Sequence, residues 1–109
     1  MDHPVVDPAV LDALRTLDTP TVCNALEVVA PERRGHGYTI KPLVCTRPEL
    51  PPMVGYARTA TISAVAPSDK RGQEARDAQD GYYAYMASGP NPTITVIHDL
   101  DGDQQGYGA

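Results

Sequence analysis

The order of elements read from the sequence is α-α-β-β-α-β, which predicts an α/β layered domain opened by a helical hairpin. Three observations carry that reading. Two acid-or-threonine-plus-proline signals near the amino terminus each introduce a short helical pattern. Residues 53–65 and 93–100 are rich in small and β-branched side chains and flank a helical pattern over residues 73–87. The last strand then runs into an acidic, glycine-rich loop over residues 101–109. In α/β proteins such a loop introduces a helix, and the start of that helix is where anionic ligands sit.

Each element has its own signal. Asp7-Pro8 sets an N-cap and a first helical position, and residues 9–17 follow with Val10, Leu14 and Leu17 at helical spacing. Thr19-Pro20 repeats the start, and a second helix over residues 21–29 places Val22, Ala25, Leu26 and Val29 on one face. Pro31 and the run Glu32-Arg33-Arg34-Gly35-His36-Gly37 end it in a loop. Residues 38–46 form a short strand candidate, weakened by Pro42, and the three prolines of residues 47–52 make a stiff connector. In the strand over residues 53–65, Gly55 marks a bulge or a close backbone approach. The helix over residues 73–87 gathers Ala75, Ala78, Tyr82, Tyr85 and Met86 on one face and sets Arg76 four residues before Asp80 on the other. Gly81 costs that helix about 1 kcal/mol relative to Ala. Ser88-Gly89-Pro90-Asn91-Pro92 stops it, and the final strand over residues 93–100 reads as buried. The whole is one domain over residues 1–109, with the hairpin at 7–30 and the sheet-containing part at 38–109.

Composition narrows the function classes. The chain has 109 residues and no Phe or Trp, so a core must come from Val, Ile, Leu, Ala and six Tyr, which is thin for this length. Its net charge of −5 and pI near 4.9 argue against a nucleic-acid partner, because no basic stripe exists to displace counterions. Arg33-Arg34 and Lys70-Arg71 read as isolated solvated pairs. The amino terminus is polar, without the basic and apolar regions of a signal peptide, and no apolar run approaches the roughly 20 residues that cross a bilayer. A cytoplasmic protein with no membrane partner is expected. Cys23 and Cys45 form no Cys-x-x-Cys and read as reduced, buried thiols.

Few residues offer chemistry. His98-Asp99-Leu100-Asp101-Gly102-Asp103 invites a calcium reading, but the glycine falls at the wrong position for an EF-hand, and Asp99, Asp101 and Asp103 alone read as a solvated turn. Asp99 stands apart because it lies at the carboxyl end of a strand, where α/β folds place ligands. His3 and His36 lack ligating neighbours and read as surface histidines. There is no Gly-x-Ser-x-Gly elbow, no phosphate-binding P-loop and no dinucleotide fingerprint, and Ser63 and Ser88 show no triad arrangement.

Three motifs in order nevertheless resemble one family. Leu17-Asp18-Thr19-Pro20-Thr21-Val22-Cys23-Asn24-Ala25-Leu26, the strand Met53-Val54-Gly55-Tyr56-Ala57-Arg58-Thr59-Ala60, and Thr95-Val96-Ile97-His98-Asp99-Leu100-Asp101 with Gly106-Tyr107-Gly108-Ala109 are similar to segments of the RraA-like family, the regulators of ribonuclease E activity and 4-hydroxy-4-methyl-2-oxoglutarate aldolases. The resemblance implies a β/β/α swivelling-type domain that assembles as a trimer or hexamer. It implies divalent-metal lyases, using Mg²⁺ or Mn²⁺, that cleave 4-hydroxy-2-oxo acids to pyruvate or decarboxylate oxaloacetate. In that chemistry the metal chelates the 2-oxo acid and holds the developing enolate charge.

The family pattern continues into a Gly-Glu helix start and a later Gly-x-x-Arg-Asp motif, and neither has a position in this sequence. Arg58, Arg76 and Asp77 lie in other contexts and do not replace them. The expectation is therefore an amino-terminal portion of a lyase domain, incomplete at its carboxyl end, inactive and metal-free by itself. Asp99, Gly106 and Gly108 would border the small 2-oxo acid substrate, with the catalytic groups following Ala109. Asn24 stands where many relatives carry Asp and reads as a helix residue bonding locally. The alternative is a non-catalytic regulator that binds a protein partner of ribonuclease type, which the acidic charge permits.

Overall fold

A computed structural model of the chain describes residues 4–104. Three helices, α1 (Pro8–Leu14), α2 (Thr19–Val29) and α3 (Gly72–Ala87), and two strands, β1 (Tyr56–Ile62) and β2 (Thr93–Asp99), make it a mixed α/β chain, with 3-10 turns at Pro31–Arg33 and Gly102–Gln104. The backbone divides into two compact units, one over Val6–Val54 and one that joins Pro4 and Val5 to the chain from Gly55 onward.

In the first unit the helix starts follow the capping chemistry. Asp7 accepts from the Ala9 amide at 2.8 Å, with Pro8 inside the first turn. Helix α1 is shorter than its periodicity suggests. The Thr16 hydroxyl and amide both turn back to the Ala13 carbonyl, at 2.7 and 3.1 Å, and this tight local closure ends the helix before Leu17. The cap of α2 is Asp18 rather than Thr19: its carboxylate accepts from the Thr21 amide at 2.9 Å, so the helix begins one residue ahead of the Pro signal. Thr21, through its side chain first and its amide second, holds the Asp18 carboxyl below the usual carboxylate range. Residues 38–46 form no strand. Pro42 removes a ladder donor, no second strand lies in this unit to receive the segment, and Ile40, Leu43 and Val44 remain exposed. The Arg47 carbonyl instead accepts from the Leu50 amide at 3.0 Å, a turn within the proline-rich connector. Neither thiol is buried: Cys23 is half-buried and Cys45 exposed.

The second unit is a parallel strand pair joined through α3. Tyr56 lies opposite Thr93 and Ile62 opposite Asp99. Parallel strands need a long crossover, and α3 supplies it. The ladder starts at Tyr56, whose amide donates to the Pro92 carbonyl at 2.8 Å. Gly55 is the close approach its sequence position suggests: a Cβ there would lie 2.7 Å from that same carbonyl oxygen. At the other end the Leu100 amide still donates to the Ile62 carbonyl at 2.9 Å.

Arg58 is the one buried polar residue among those described, only 4% exposed. Its guanidinium donates to the carbonyls of Ser88, Pro90 (3.2 Å) and Ala57 (3.2 Å). Ser88 is the C-cap of α3, so the cation sits where the helix dipole and the unpaired last carbonyls attract positive charge. Helix α3 is further tied down by its last turns. The Tyr85 hydroxyl accepts from the Thr59 amide at 3.2 Å, and the Thr95 hydroxyl meets Met86 Sδ at 3.1 Å. The first half of the helix faces solvent, Ala75 and Ala78 included. Arg76 bonds back to Gln73 Oε1 at 3.1 Å instead of forward to Asp80, because that amide oxygen lies within one turn on the same side.

No apolar side chain among the described residues is buried. The thin core expected from composition is thus thinner still, and β2 is not the buried strand its sequence suggests: Val96 and Ile97 are 55% and 48% exposed. Two strands and the end of one helix leave these side chains without a covering layer. No helix among the described residues is long and apolar enough to cross a membrane.

Candidate functional site

The two strands are parallel, so their carboxyl ends lie side by side at Ile62 and Asp99. That edge is where open α/β sheets collect ligands. The chain leaving β1 and the chain leaving β2 are locked together there by one carboxylate. Asp101 accepts from the Ser63 hydroxyl at 2.6 Å, the Ala64 amide at 2.5 Å and the Val65 amide at 3.1 Å. These bonds, the hydroxyl foremost, hold the Asp101 carboxyl below the usual carboxylate range, so it is ionised at neutral pH. They also explain why β1 ends at Ile62: the next amides turn to Asp101 instead of continuing a ladder.

Asp99 ends β2 and is half-buried. Its Oδ1 accepts from the Asp101 amide at 2.9 Å, an Asx turn that fixes the side chain. Its Oδ2 is shielded from solvent and has no hydrogen-bond partner among the described residues. A shielded oxygen of this kind is uncommon in folded proteins and calls for a donor or a cation. The edge therefore has one fixed and fully engaged carboxylate, Asp101, beside one fixed carboxylate with an oxygen to offer, Asp99.

The other residues named from the sequence fall differently. Gly106 and Gly108 lie outside the described residues, as does His3. Asp103 is exposed in the 3-10 turn. Arg58 is buried with its donors taken by backbone carbonyls, so it does not present a guanidinium to a substrate. Asn24 is exposed on α2, and its amide makes no hydrogen bond among the described residues, contrary to the expected local bond. The Asp101 clamp was not visible in the sequence, because Ser63 and Asp101 are 38 positions apart and neither belongs to a motif.

A divalent cation of the Mg²⁺ type takes about six oxygen donors. Among the described residues no group of three His, Cys, Asp or Glu side chains could hold a metal ion. Asp101 is occupied, and Asp99 Oδ2 offers a single anionic oxygen. The described residues do not build a metal site.

Neither a known protein family, nor a curated protein, nor a solved structure was found to match this chain.

Proposed function

We propose that the chain is the amino-terminal part of a metal-dependent C–C lyase of RraA-like type, with a β/β/α swivelling-type domain, acting on small 2-oxo acids. The reaction class is retro-aldol cleavage of 4-hydroxy-2-oxo acids to pyruvate, or decarboxylation of oxaloacetate. The observation that supports this reading best is the shielded, unpartnered Oδ2 of Asp99 at the carboxyl end of two parallel strands. Asp99 there acts as a wall of the substrate site, and Asp101 holds the two loops that shape it. The resemblance would have Gly106 and Gly108 border the same substrate. The arginine and the Mg²⁺ or Mn²⁺ ligands belong to the segment that the family pattern places after Ala109, and the domain works as a trimer or hexamer in the cytoplasm.

The experiment is an assay of pyruvate release from oxaloacetate by the product of the whole gene, with and without Mg²⁺. Metal-dependent turnover that falls at least about tenfold in Asp99→Asn is expected, the scale on which loss of one positioned polar group acts. Absence of turnover, or an Asp99→Asn enzyme equal to the parent, would overturn the assignment. A non-catalytic, protein-binding regulator is the second reading. The exposed apolar side chains of the first unit favour it, with Ile40, Leu43 and Val44 at 102%, 88% and 86% exposure.

A further inference from the structure

A concavity lies wholly within the first unit, between one face of α2 and the loop that follows the 3-10 turn. Its volume is about 180 Å³. That is below the roughly 300–1,000 Å³ of sites for drug-sized ligands, so any occupant is small. Cys23, Leu26 and Glu27 line it from α2, and Arg33, His36 and Tyr38 line it from the loop. The α2 residues follow the spacing i, i+3 and i+4, which puts them on one helical face. Gly35 and Gly37, both at positive φ (79° and 83°), let the loop fold back over that face.

The charges in this cleft are unequally matched. Glu27 is fully engaged: Oε2 accepts from Arg34 Nε at 3.0 Å and Oε1 accepts from the Tyr38 hydroxyl at 3.0 Å. Arg33, next in sequence to the paired Arg34, makes no side-chain hydrogen bond or ion pair among the described residues. The cleft thus combines a thiol and a leucine side chain with one unpaired guanidinium, in a protein whose net charge is −5. A guanidinium presents a planar fork of donors that matches a carboxylate.

We infer that this cleft binds a small monocarboxylate, with the carboxylate on Arg33 and its short apolar body against Cys23 and Leu26. Tyr38, held by Glu27, closes one side, and His36 adds a second polar contact at the rim. The inference is independent of the lyase reading, since the cleft contains neither Asp99 nor Asp101.

The thiol supplies the readout. Cys23 lines the cleft and Cys45 does not, so alkylation by iodoacetamide, resolved by mass spectrometry on the 109-residue chain, compares a test site with an internal reference. Butyrate at up to about 10 mM, a weak-binding range suited to so small a ligand, is expected to slow Cys23 alkylation at least threefold and leave Cys45 unchanged. Butyramide, uncharged and of the same shape, is expected to give no protection. Arg33→Gln is expected to abolish the butyrate effect, and Arg33→Lys to retain part of it, with helix content by circular dichroism unchanged. The inference is overturned if butyrate leaves the Cys23 rate unaltered, if butyramide protects equally, or if protection survives in Arg33→Gln. The butyrate–butyramide pair is decided on the parent chain, so a failure of either variant to fold leaves that arm intact.

Discussion

The two units of this chain are held together on different length scales. In Val6–Val54 the ties are short. Asp7 caps Ala9, Asp18 caps Thr21, and the longest side-chain bond, Tyr38 to Glu27, spans 11 positions. In the sheet unit the ties are long. Tyr85 reaches Thr59 across 26 positions, Arg58 reaches Ser88 and Pro90 across 30 and 32, and Asp101 reaches Ser63 across 38. A local tie closes a small loop and survives the loss of its neighbours. A distant tie must overcome a larger closure entropy and so works only as part of a set. The sheet unit should therefore lose its order cooperatively, and the helical unit piecemeal.

The largest expected effect that separates them is at Arg58. Arg58→Met keeps the length of the side chain and removes the guanidinium, which leaves the Ser88 and Pro90 carbonyls without their donor. A loss of about 3 kcal/mol is expected, in line with charged hydrogen bonds broken at a buried site. Native-state hydrogen exchange should show it as faster exchange throughout β1 and β2, with α2 unchanged. Equal loss in α2 would dissolve the distinction between the units.

A smaller effect of opposite sign lies in the crossover helix. Gly81 is in the interior of α3, and a Cβ there meets no atom within 4 Å. Gly81→Ala should stabilise α3 by about 1 kcal/mol. Because α3 connects the strands, the gain should appear as slower exchange in β1 and β2 as well. A gain confined to α3 would mean that helix and ladder open separately.

The smallest effects are those of pH, and they sharpen the contrast by acting in opposite directions. Asp101 has its carboxyl lowered by Ser63 and the Ala64 and Val65 amides, so its contribution is present above the ordinary carboxylate value and is lost as pH falls through the folded one. Asp18 in the helical unit behaves the same way. Tyr38 has its phenol raised, chiefly by the hydrogen bond it donates to Glu27. Its contribution is present below the ordinary phenol value and is lost as pH rises through the folded one. Below about pH 4 both units should loosen, whereas above about pH 10 only the helical unit should, as read by exchange rates and by tyrosinate absorbance. Alkaline loosening of the strands would contradict this assignment.

The same difference in length scale explains what could be read from the sequence. Local chemistry was legible. Asp7-Pro8 and Thr19-Pro20 announce two helix starts, although the cap of the second is Asp18, Ser88-Gly89-Pro90 announces a stop, and Gly55 announces a close backbone contact. Each of these depends on neighbours a few positions away. The mixed α/β class follows from the same signals. What was not legible is what covers what. β-branched residues in β2 suggest burial, yet Val96 and Ile97 are exposed because burial depends on a layer that the sequence pattern cannot supply. Residues 38–46 have strand-like composition but no partner strand. At the candidate site, Asp99 was legible as a strand end, since its position alone marks it. The Asp101 clamp was not, since its partners are three residues with no distinguishing pattern. Likewise Arg33 reads as one of a solvated pair until Arg34 is seen to have taken Glu27.

The central claim is that the apolar side chains of the sheet unit have no covering layer among the described residues. Each of its two strands is paired on one side only among the described residues, and Leu100, Val96 and Ile97 face solvent. The most direct test is multi-angle light scattering of the purified 109-residue chain, coupled to a thermal melt. The account predicts concentration-dependent self-association and no single transition, the sheet unit melting cooperatively and the helical unit gradually. A sharp monomer peak with a single cooperative melt would contradict it, because it would show that residues 1–109 already bury all the apolar surface that a stable domain requires.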